Sequence, residues 1–382
     1  MTSFFISIKL NIIDICLLFF DVKEKKVNIF KKLYCRTFQT IFRIAIPLLP
    51  YHEPQILANN DELISVLLDN NTKSVLLVTD AGLTNLGLYN NLVDEMRQNG
   101  VKVSIYDKTV ANPTTQNVEE ALAVYRDNAC NAIIAFGGGS AMDCAKATGA
   151  RVARPKKTLG KMKGILKVGK KIPLLIAVPT TAGTGSETTL AAVITDSETR
   201  HKYAINDFPL IPSYAMLDAS LTIGLPKFVT ATTGMDALTH AIEAYIGRST
   251  TKDTRQNALE AVKLVFENLY SAYGDGSNLE VRDNMLKAAF KAGLAFTKSY
   301  VGYVHAIAHS LGGKYNIPHG LANAIILPYV LKKYGRAIYK KLWEMGVYAN
   351  LFDSNTSIEE GAKIFIEKIE DLNKSMNIGS SI

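Results

Sequence analysis

Histidines together with one carboxylate are the first residues in this chain whose types and spacing point to chemistry. His305, His309 and His319 lie within fifteen residues of a protein that has six histidines in total. On a helix, the spacing of four between His305 and His309 places both imidazoles on one face. Asp236 and His240 repeat that spacing upstream. One carboxylate and several neutral imidazoles suit a divalent first-row metal, so the spacing favours a metal site over isolated structural histidines.

Two predicted helices carry these pairs, and the turn after the second helix decides where His319 lies. The second helix contains no proline before Pro318, and we expect the Gly312–Gly313 pair to end it. Pro318 would then turn the chain so that His319 returns toward the same point. The sequence therefore predicts that two helices and one turn build the site.

Two loops of small residues follow predicted strands farther upstream. The sequence GGGS begins at Gly137, directly after the apolar run 132–136, and PTTAGTGSE begins at Pro179 after the run 174–178. Glycines between a strand and a helix N-terminus let the backbone approach a phosphate, although the spacing is not that of GxGxxG. Ligands of open α/β sheets bind at the carboxyl ends of the strands. Two such loops on one sheet indicate a long ligand that lies across both.

The two halves of the chain show different hydrophobic periodicities. The first half alternates predicted strands and helices, which is typical of an open, mostly parallel α/β sheet. Its predicted strands are 75–79, 101–106, 132–136 and 174–178, and its predicted helices are about 84–99 and 116–128. Beyond about residue 220 the pattern becomes helical only, with predicted segments 233–247, 252–270, 280–295, 304–311, 321–334 and 359–377. We therefore expect an N-terminal extension at 1–50, an α/β domain at 51–219 and an all-helical domain at 220–382.

Composition and cysteine usage are those of a globular enzyme in a reducing compartment. The chain has 382 residues, of which 48% are hydrophobic and 20% charged, which excludes a disordered protein. Its cysteines show no CxxC pairing and no disulfide framework, and we expect a cytoplasmic protein. The four cysteines are Cys16, Cys35, Cys130 and Cys144.

The basic charge is concentrated rather than spread along the chain. The formal net charge is +8, and nine basic residues lie between Arg151 and Lys171. Such a run could bind nucleic acid, anionic lipid or a cofactor phosphate. Because it has no interleaved aromatic residues and no nucleic-acid motif, we expect a solvated loop and no nucleic-acid partner.

The first fifty residues are the least typical part of the chain. Met1–Phe20 is strongly apolar but contains Lys9 and Asp14, and no basic residue precedes the apolar run. It therefore resembles neither a signal peptide nor a membrane span, and an upstream start codon would also explain it. Segment 33–50 is amphipathic, and peripheral membrane contact, core packing and a subunit contact all stay open for it.

Four motifs together resemble the iron-containing (group III) alcohol dehydrogenase family. They are GGGSAMDCAK, PTTAGTGSE, GMDALTHAIEAY and HAIAHSLGGKYNIPHG, in the family's order and spacing. The resemblance covers about residues 55–377, and the combination is specific where any one motif is not. It implies a dehydroquinate synthase-like architecture, in which an α/β domain binds the nicotinamide cofactor and a helical domain holds the metal. The active site would lie in the cleft between them.

Carried onto this chain, the resemblance implies the functional residues. The metal ligands would be Asp236, His240, His305 and His319, and His309 would lie beside the substrate as a proton relay. The metal would be Fe(II), although Zn(II) fits the same ligands. The cofactor-binding residues would be Asp80, Gly138, Gly139, Ser140, Asp143, Thr180, Thr181, Thr184 and Lys202. Because a carboxylate at Asp80 would repel a 2′-phosphate, NAD(H) should be preferred over NADP(H).

The function implied is reversible hydride transfer between a primary alcohol or aldehyde and NAD(H), with the metal as a Lewis acid on the alcohol oxygen. One alternative is an NAD- and metal-dependent lyase of the dehydroquinate synthase and glycerol dehydrogenase superfamily, whose members use three metal ligands. Another is a membrane-associated, dehydrogenase-like binding protein attached through residues 1–50, which we favour less. We expect a homodimer, and the sequence does not name the alcohol.

Two departures from the family pattern stand out. Ala219 occupies a position where relatives usually have proline, which we interpret as a harmless loop change. The chain also stops at Ile382, just after a segment that continues for another helix or two in relatives. If those helices pack on the metal domain, their absence would leave the cleft more open.

Overall fold

A six-stranded parallel sheet forms the centre of the first half of the chain in a computed structural model, which describes residues 29–315 and 317–381. The strands of the whole chain are β1 Gln55–Leu57, β2 Ser74–Val78, β3 Lys102–Tyr106, β4 Ala132–Gly137, β5 Gly164–Ile165, β6 Leu174–Pro179, β7 Ala191–Thr195, β8 Lys202–Asn206 and β9 Tyr214–Met216. The large sheet has the order β1-β9-β6-β4-β2-β3, and all of its neighbours are parallel. Strands β2 and β4 are buried along their whole length, as expected where helices cover both faces.

Helices flank this sheet, and one of them agrees with the predicted helix at 116–128. The first-half helices are α1 Ile29–Ala45, α2 Asn60–Asp69, α3 Ala81–Leu86, α4 Asn90–Gln98, α5 Thr115–Asp127, α6 Gly139–Ala153 and α7 Leu159–Met162. The prediction of one helix over 84–99 is wrong. Gly87 adopts φ +64° and ends α3, and the chain starts a new helix at Asn90.

A second sheet, not predicted from the sequence, joins β5, β8 and β7. Strands β7 and β8 are antiparallel, with Ala192 opposite Ile205, and both of these side chains are fully buried. Because β5 and β8 are parallel, this small sheet is mixed, and β7 is its antiparallel strand. The sheet also places Lys202, the first residue of β8, near the edge of the large sheet where the small-residue loops lie.

The second half is all-helical, as the sequence predicts. Its helices are α8 Lys227–Ile246, α9 Lys252–Gly274, α10 Leu279–Ser299, α11 Tyr303–Tyr315, α12 His319–Tyr334, α13 Tyr339–Tyr348 and α14 Ile358–Ser375. Helix α8 is the centre of this half, because residues 234–245 are all buried against α9, α10 and α12. The expected α/β half and all-helical half are thus confirmed, whereas the exact domain limits 51–219 and 220–382 stay a prediction.

Two details of the helical half differ from the sequence interpretation. The Gly312–Gly313 pair does not end α11, which continues to Tyr315. Both glycines keep negative φ, so the local preference of glycine for a helix end is overridden. The turn predicted at Pro318 is present, since that residue directly precedes α12. Helix α13 is not among the predicted segments, and it begins shortly after Gly335, which ends α12 at φ +53°.

The N-terminal and basic segments lie on the surface of the described chain. Leu33, Tyr34, Ile41 and Ile44 of α1 are exposed, which excludes core packing for these side chains. No helix within residues 29–315 and 317–381 is both long and apolar enough to cross a membrane. The interpretation of Met1–Phe20 lies outside the described residues. The basic stretch is mostly solvated as predicted, and its exposed lysines are Lys156, Lys161, Lys163, Lys167, Lys170 and Lys171.

Candidate active site

Helix α8 supplies the carboxylate around which the candidate metal ligands gather. Asp236 is 2% exposed in the middle of this buried helix. Helix α12 approaches α8 unusually closely, because Gly320 lies against its backbone. A Cβ atom at Gly320 would lie 2.3 Å from the carbonyl oxygen of Thr232. This close approach brings His319, the first residue of α12, toward Asp236.

Three of the four predicted metal ligands lie together. The ligand atoms of Asp236, His305 and His319 are all within 4.8 Å of one another. Nε2 of His305 lies 3.6 Å from Oδ1 of Asp236, and Nε2 of His319 lies 3.7 Å from the same oxygen. These separations are those of donors arranged around a common centre rather than of direct hydrogen bonds. The three side chains form a partly open pocket, since His319 is 34% exposed.

His240, the fourth predicted ligand, lies next to this group but is not part of it. Its ring stacks on Phe296 at 4.1 Å and on His305 at 4.3 Å between ring centroids. Nδ1 of His240 is buried and has no hydrogen-bond partner in the described chain. The imidazole is thus adjacent to the cluster with one nitrogen unused, and its role as a ligand stays a prediction.

The chemistry of these donors fits a divalent metal. Nε2 of His305 is buried without a partner among the described residues, and an unsatisfied buried polar atom costs about 1–3 kcal/mol. A cation between His305, His319 and Asp236 would remove that cost. Burial alone would raise the pKa of Asp236, but the neighbouring histidines hold it well below its ordinary value. Burial lowers the pKa of His240 to about 3. Near pH 7, Asp236 is therefore ionised and His240 is neutral, which are the forms that bind a metal.

His305 is the group whose protonation a metal would change. Burial lowers its pKa, but the neighbouring carboxylates of Asp236 and Glu243, the second of them hydrogen-bonded to the ring, outweigh this effect and raise the pKa to about 9. Without a cation, the site therefore holds a proton between two carboxylates. Metal binding at this position would release that proton.

His309 lies beside the cluster and outside the ligand group. Its ring centroid is 4.8 Å from that of His319 and 6.3 Å from that of His305. Desolvation in the cleft, followed by repulsion from His319, His305 and Lys202, lowers the pKa of His309 to about 3. The imidazole is therefore neutral near pH 7 and can accept a hydrogen bond from a substrate hydroxyl.

The two loops of small residues lie face to face at the carboxyl ends of β4 and β6. Thr180 donates its backbone N–H to the carbonyl oxygen of Gly137 at 3.1 Å. A Cβ atom at Gly138 would lie 3.3 Å from Oγ1 of Thr181, and one at Gly139 would lie 3.0 Å from Cγ2 of Thr184. A side chain at either glycine would therefore press on the threonine loop. The first amides of α6, which include that of Ser140, have no side-chain cap in the described structure and can bind a phosphate.

Comparison with known proteins now adds to this geometry. A family model described as iron-containing alcohol dehydrogenase matches residues 54–219. A second model, described as the C-terminal part of the Fe-containing alcohol dehydrogenase family, matches residues 230–382. The chain is 44% identical to a 1,3-propanediol dehydrogenase of Klebsiella pneumoniae over 262 residues, 68% of this chain and 67% of that protein. It is 37% identical to alcohol dehydrogenase 4 of Saccharomyces cerevisiae over 318 residues, 83% of this chain and 82% of that one. A solved 1,3-propanediol oxidoreductase superposes with a TM-score of 0.83 at 37% identity, covering 86% of this chain and 87% of that one.

The chain belongs to the iron-containing alcohol dehydrogenase family. As a member, it is an NAD-dependent oxidoreductase that transfers a hydride between an alcohol or aldehyde and NAD(H). Iron is the metal of the family, and the cluster of Asp236, His305 and His319 is where this chain can hold one. The assignment favours the dehydrogenase over the lyase that the sequence left open.

The predicted cofactor residue Asp80 lies beside the glycine loop of this dehydrogenase. Its Oδ1 accepts the backbone N–H of Leu83 at 3.1 Å and so caps α3. Its Oδ2 lies 3.8 Å from the position that a Cβ atom would take at Gly137. The carboxylate therefore follows β2 at the same edge of the sheet as the loop that follows β4.

The charge of Lys202 acts both on Asp143 beside the small-residue loops and on two histidines of the cleft. Lys202 donates from Nζ to Oδ1 of Asn112 at 2.6 Å, and its charge acts on Asp143, His309 and His319. Burial raises the pKa of Asp143 to about 6 although Lys146 and Lys202 oppose this. The position of Lys202 therefore lets its charge act on both parts of the site, and its role as a cofactor residue stays a prediction.

Sequence reasoning missed three residues that support the site. Glu243 accepts a 2.7 Å hydrogen bond from Nδ1 of His305. Asn323 donates to Oδ1 of Asp236 at 2.6 Å and lies one helical turn after His319. Glu243 lies seven residues after Asp236, on the same face of α8, and Asn323 lies four after His319. A search for buried polar residues at helical spacing from each ligand would have found both.

The third missed residue is Lys146, in the glycine motif itself. Its fully buried ammonium donates to oxygen atoms of Ser186, Thr189 and Ala191. Burial lowers the pKa of Lys146 to about 8, against the opposing charges of Asp143 and Glu187. Lys146 thus ties α6 to the end of the threonine loop.

Proposed function

We propose that the dehydrogenase acts on a short primary alcohol such as 1,3-propanediol and on the corresponding aldehyde. Two relatives carry the name 1,3-propanediol dehydrogenase, at 44% and 38% identity to this chain. The observation that supports the reaction best is the partly open cluster of Asp236, His305 and His319 with neutral His309 at its edge. We propose that His240 completes the ligand set.

The side chains divide the work of this reaction. A divalent metal, when bound, supplies a Lewis acid that lowers the pKa of the alcohol oxygen. Asp236, His305 and His319 would hold it, and His309 accepts the hydroxyl proton. From His309, whose side chain is exposed at the edge of the cleft, the proton would pass to solvent.

The glycine and threonine loops would bind the dinucleotide, which supplies the hydride acceptor. Gly138, Gly139 and Ser140 offer amides to the pyrophosphate, while Thr180, Thr181 and Thr184 line the opposite side. We propose that Asp143 and Lys202 orient the cofactor, since Asp143 accepts a hydrogen bond from Ser186 of the threonine loop and the charge of Lys202 acts on both Asp143 and His309. Asp80 selects NAD(H), because its carboxylate would accept hydrogen bonds from a ribose and repel a 2′-phosphate.

Aldehyde-dependent oxidation of NADH tests this function. The protein is stripped of metal, then reloaded anaerobically with Fe(II) or Zn(II), and its rate is compared with that of His305→Ala. We expect activity to return with metal in the wild type and to stay absent in the variant. A wild type that turns over equally well without metal would contradict the proposal.

We also propose that the enzyme is a cytoplasmic homodimer. The exposed apolar side chains of α1, together with the exposed Ile56 on edge strand β1, provide surface that a second copy would cover. Cys35, Cys130 and Cys144 form no disulfide within the described chain, which suits a reducing compartment. Light scattering on the purified protein tests the dimer. Monomers in solution would contradict the dimer. Recovery of the protein in the membrane fraction of a lysate would contradict the cytoplasmic location.

A further inference from the structure

We propose that Glu243 is a positioning residue for the metal centre, which holds the His305 ring so that its Nε2 atom faces Asp236 and His319. The proposal rests on the metal ligands proposed above. Glu243 lies on α8 and is 3% exposed. It does not belong to the ligand group, so any effect on the metal must act through His305.

The carboxylate of Glu243 is fully used by donors from one short segment. Its Oε2 accepts the ring Nδ1–H of His305 at 2.7 Å and the backbone N–H of Gly302 at 2.8 Å. Its Oε1 accepts the backbone N–H of Val304 at 2.8 Å, and a longer contact of 3.4 Å joins Oε2 to the backbone N–H of His305. A buried carboxylate is tolerated only when it is bonded in this way.

The bond to Nδ1 decides which nitrogen of His305 is available. With Nδ1–H donated to the carboxylate, the lone pair of Nε2 is left for a metal, and the ring cannot rotate without breaking the bond. Nε2 is the buried atom that lacks a partner in the described chain, and it lies 3.6 Å from Oδ1 of Asp236. The geometry thus gives the tautomer and the orientation that ligation requires.

The same carboxylate also fixes the start of the helix that carries His305. The first turn of α11 contains no acidic residue, and the amides of Gly302, Val304 and His305 point to Glu243 instead. A negative charge at a helix N-terminus is stabilising. Glu243 therefore fixes both the ring and the backbone of His305.

Gly302 provides an independent way to disturb this contact. A Cβ atom at Gly302 would lie 2.7 Å from Oε1 and 3.2 Å from Cδ of Glu243. Its φ is negative, so alanine is compatible with the backbone. Gly302→Ala would therefore displace the carboxylate without removing it and without changing any metal ligand.

Binding of Co(II) to the full-length protein tests the proposal. The variants are Glu243→Gln, which keeps the shape but leaves one acceptor oxygen, and Gly302→Ala. The matched control is Glu344→Gln. Like Glu243, Glu344 is a glutamate that accepts a short side-chain hydrogen bond, in its case from the hydroxyl of Tyr245 on α8, and this bond does not involve His305. We expect Co(II) affinity to fall 10- to 100-fold in the first two variants, with a changed absorption spectrum of the bound ion. Both should be unchanged in the control.

Wild-type Co(II) affinity and spectrum in both folded variants would overturn the proposal, even if their thermal stability fell, because Glu243 would then only cap α11. If Glu243→Gln fails to fold, Gly302→Ala decides the question alone, since it keeps the carboxylate. A wild type that does not bind Co(II) would overturn the metal centre itself. Titration of the wild type with Co(II) therefore distinguishes failure of the Glu243 proposal from failure of the metal-centre proposal.

Discussion

The ammonium of Lys146 lies 2.6 Å from the carbonyl oxygen of Ser186, forty residues along the chain. Lys146 belongs to the helix that begins at the glycine loop, and Ser186 ends the threonine loop. One buried cation thus sets the distance between the two loops that we assign to the dinucleotide. This relationship leads to the first prediction.

Replacing Lys146 with methionine should loosen the threonine loop. The apolar chain fills the same space but leaves the carbonyl oxygens of Ser186, Thr189 and Ala191 without their donor. We expect the free energy of unfolding to fall by about 3 kcal/mol and the KM for NADH to rise more than kcat falls. Urea unfolding and steady-state kinetics measure the two effects, with Lys161→Met on the surface as control. An unchanged KM for NADH would contradict the role in spacing the loops.

Glu187 should make stability depend on pH. Burial raises the pKa of this carboxyl to about 7 from its ordinary 4.5, against opposing effects of a backbone hydrogen bond and Lys146. Between these values the folded state binds more protons than the unfolded state, so stability falls as pH rises through the window. The full effect is at most roughly 3 kcal/mol.

Urea unfolding of Glu187→Gln from about pH 4.5 to 7 checks this sign. The difference between the two proteins is the readout, because the contributions of Asp143, His240 and His309 are common to both and cancel. We expect the wild type to lose more stability than the variant as pH rises through this range. The exposed Glu198→Gln is the control and should leave the slope unchanged. A variant that keeps the full slope would show that another group titrates in this range.

His309 should act in proton transfer and not in metal binding. It is outside the ligand group, and its ring lies 4.8 Å from that of His319. We expect His309→Asn to lower kcat by about 10²-fold, the size typical of a lost acid–base group, and to leave metal content unchanged. Metal analysis of the purified variant beside its kinetics separates the two roles. Loss of bound metal in this variant would place His309 among the ligands.

The residues found from the sequence and those missed differ in how far their partners lie along the chain. Asp236, His305 and His319 could be recognised because motif spacing and helical periodicity are local signals. Glu243 bonds to residues about sixty positions away, and no local pattern specifies such a contact. The ring direction of His240 also depends on such a distant contact, its packing against Phe296, and its role as a ligand stays a prediction.

Local rules also failed where packing overrides them. The Gly312–Gly313 pair is a good helix end by propensity, yet α11 passes through it to Tyr315. Gly87 was the less obvious break and does end a helix, because its φ of +64° suits glycine. In both places the periodicity correctly predicts a helix. Where each helix ends depends on tertiary structure, which periodicity does not contain.

Asp80 should control the choice between NAD and NADP. Serine at this position keeps an oxygen that can cap α3 through Leu83 but removes the negative charge. We expect Asp80→Ser to raise kcat/KM for NADPH by about tenfold, equal to about 1.4 kcal/mol, and to lower it for NADH. Thermal unfolding of the variant shows whether the cap survives. If the ratio of kcat/KM for NADPH to that for NADH stays unchanged, a residue other than Asp80 determines the coenzyme selectivity.

Gly320 should determine whether the metal ligands can meet. A methyl group there would lie 2.3 Å from the carbonyl oxygen of Thr232, so Gly320→Ala must push α12 away from α8. His319 would then move away from Asp236, and we expect a loss of metal content and activity. The matched control is Gly313→Ala in α11, where a methyl group would meet no atom within 4 Å.

That control should keep its metal and gain about 0.5–1 kcal/mol of stability, because alanine is a better helix former than glycine. Metal content by atomic absorption and the free energy of unfolding by urea measure both variants. If Gly320→Ala protein still binds a full equivalent of metal, then His319 can reach the metal centre even when α12 lies farther from α8. The close approach of the two helices would then serve packing, and the position of His319 would depend on its side-chain rotamer and on Asn323.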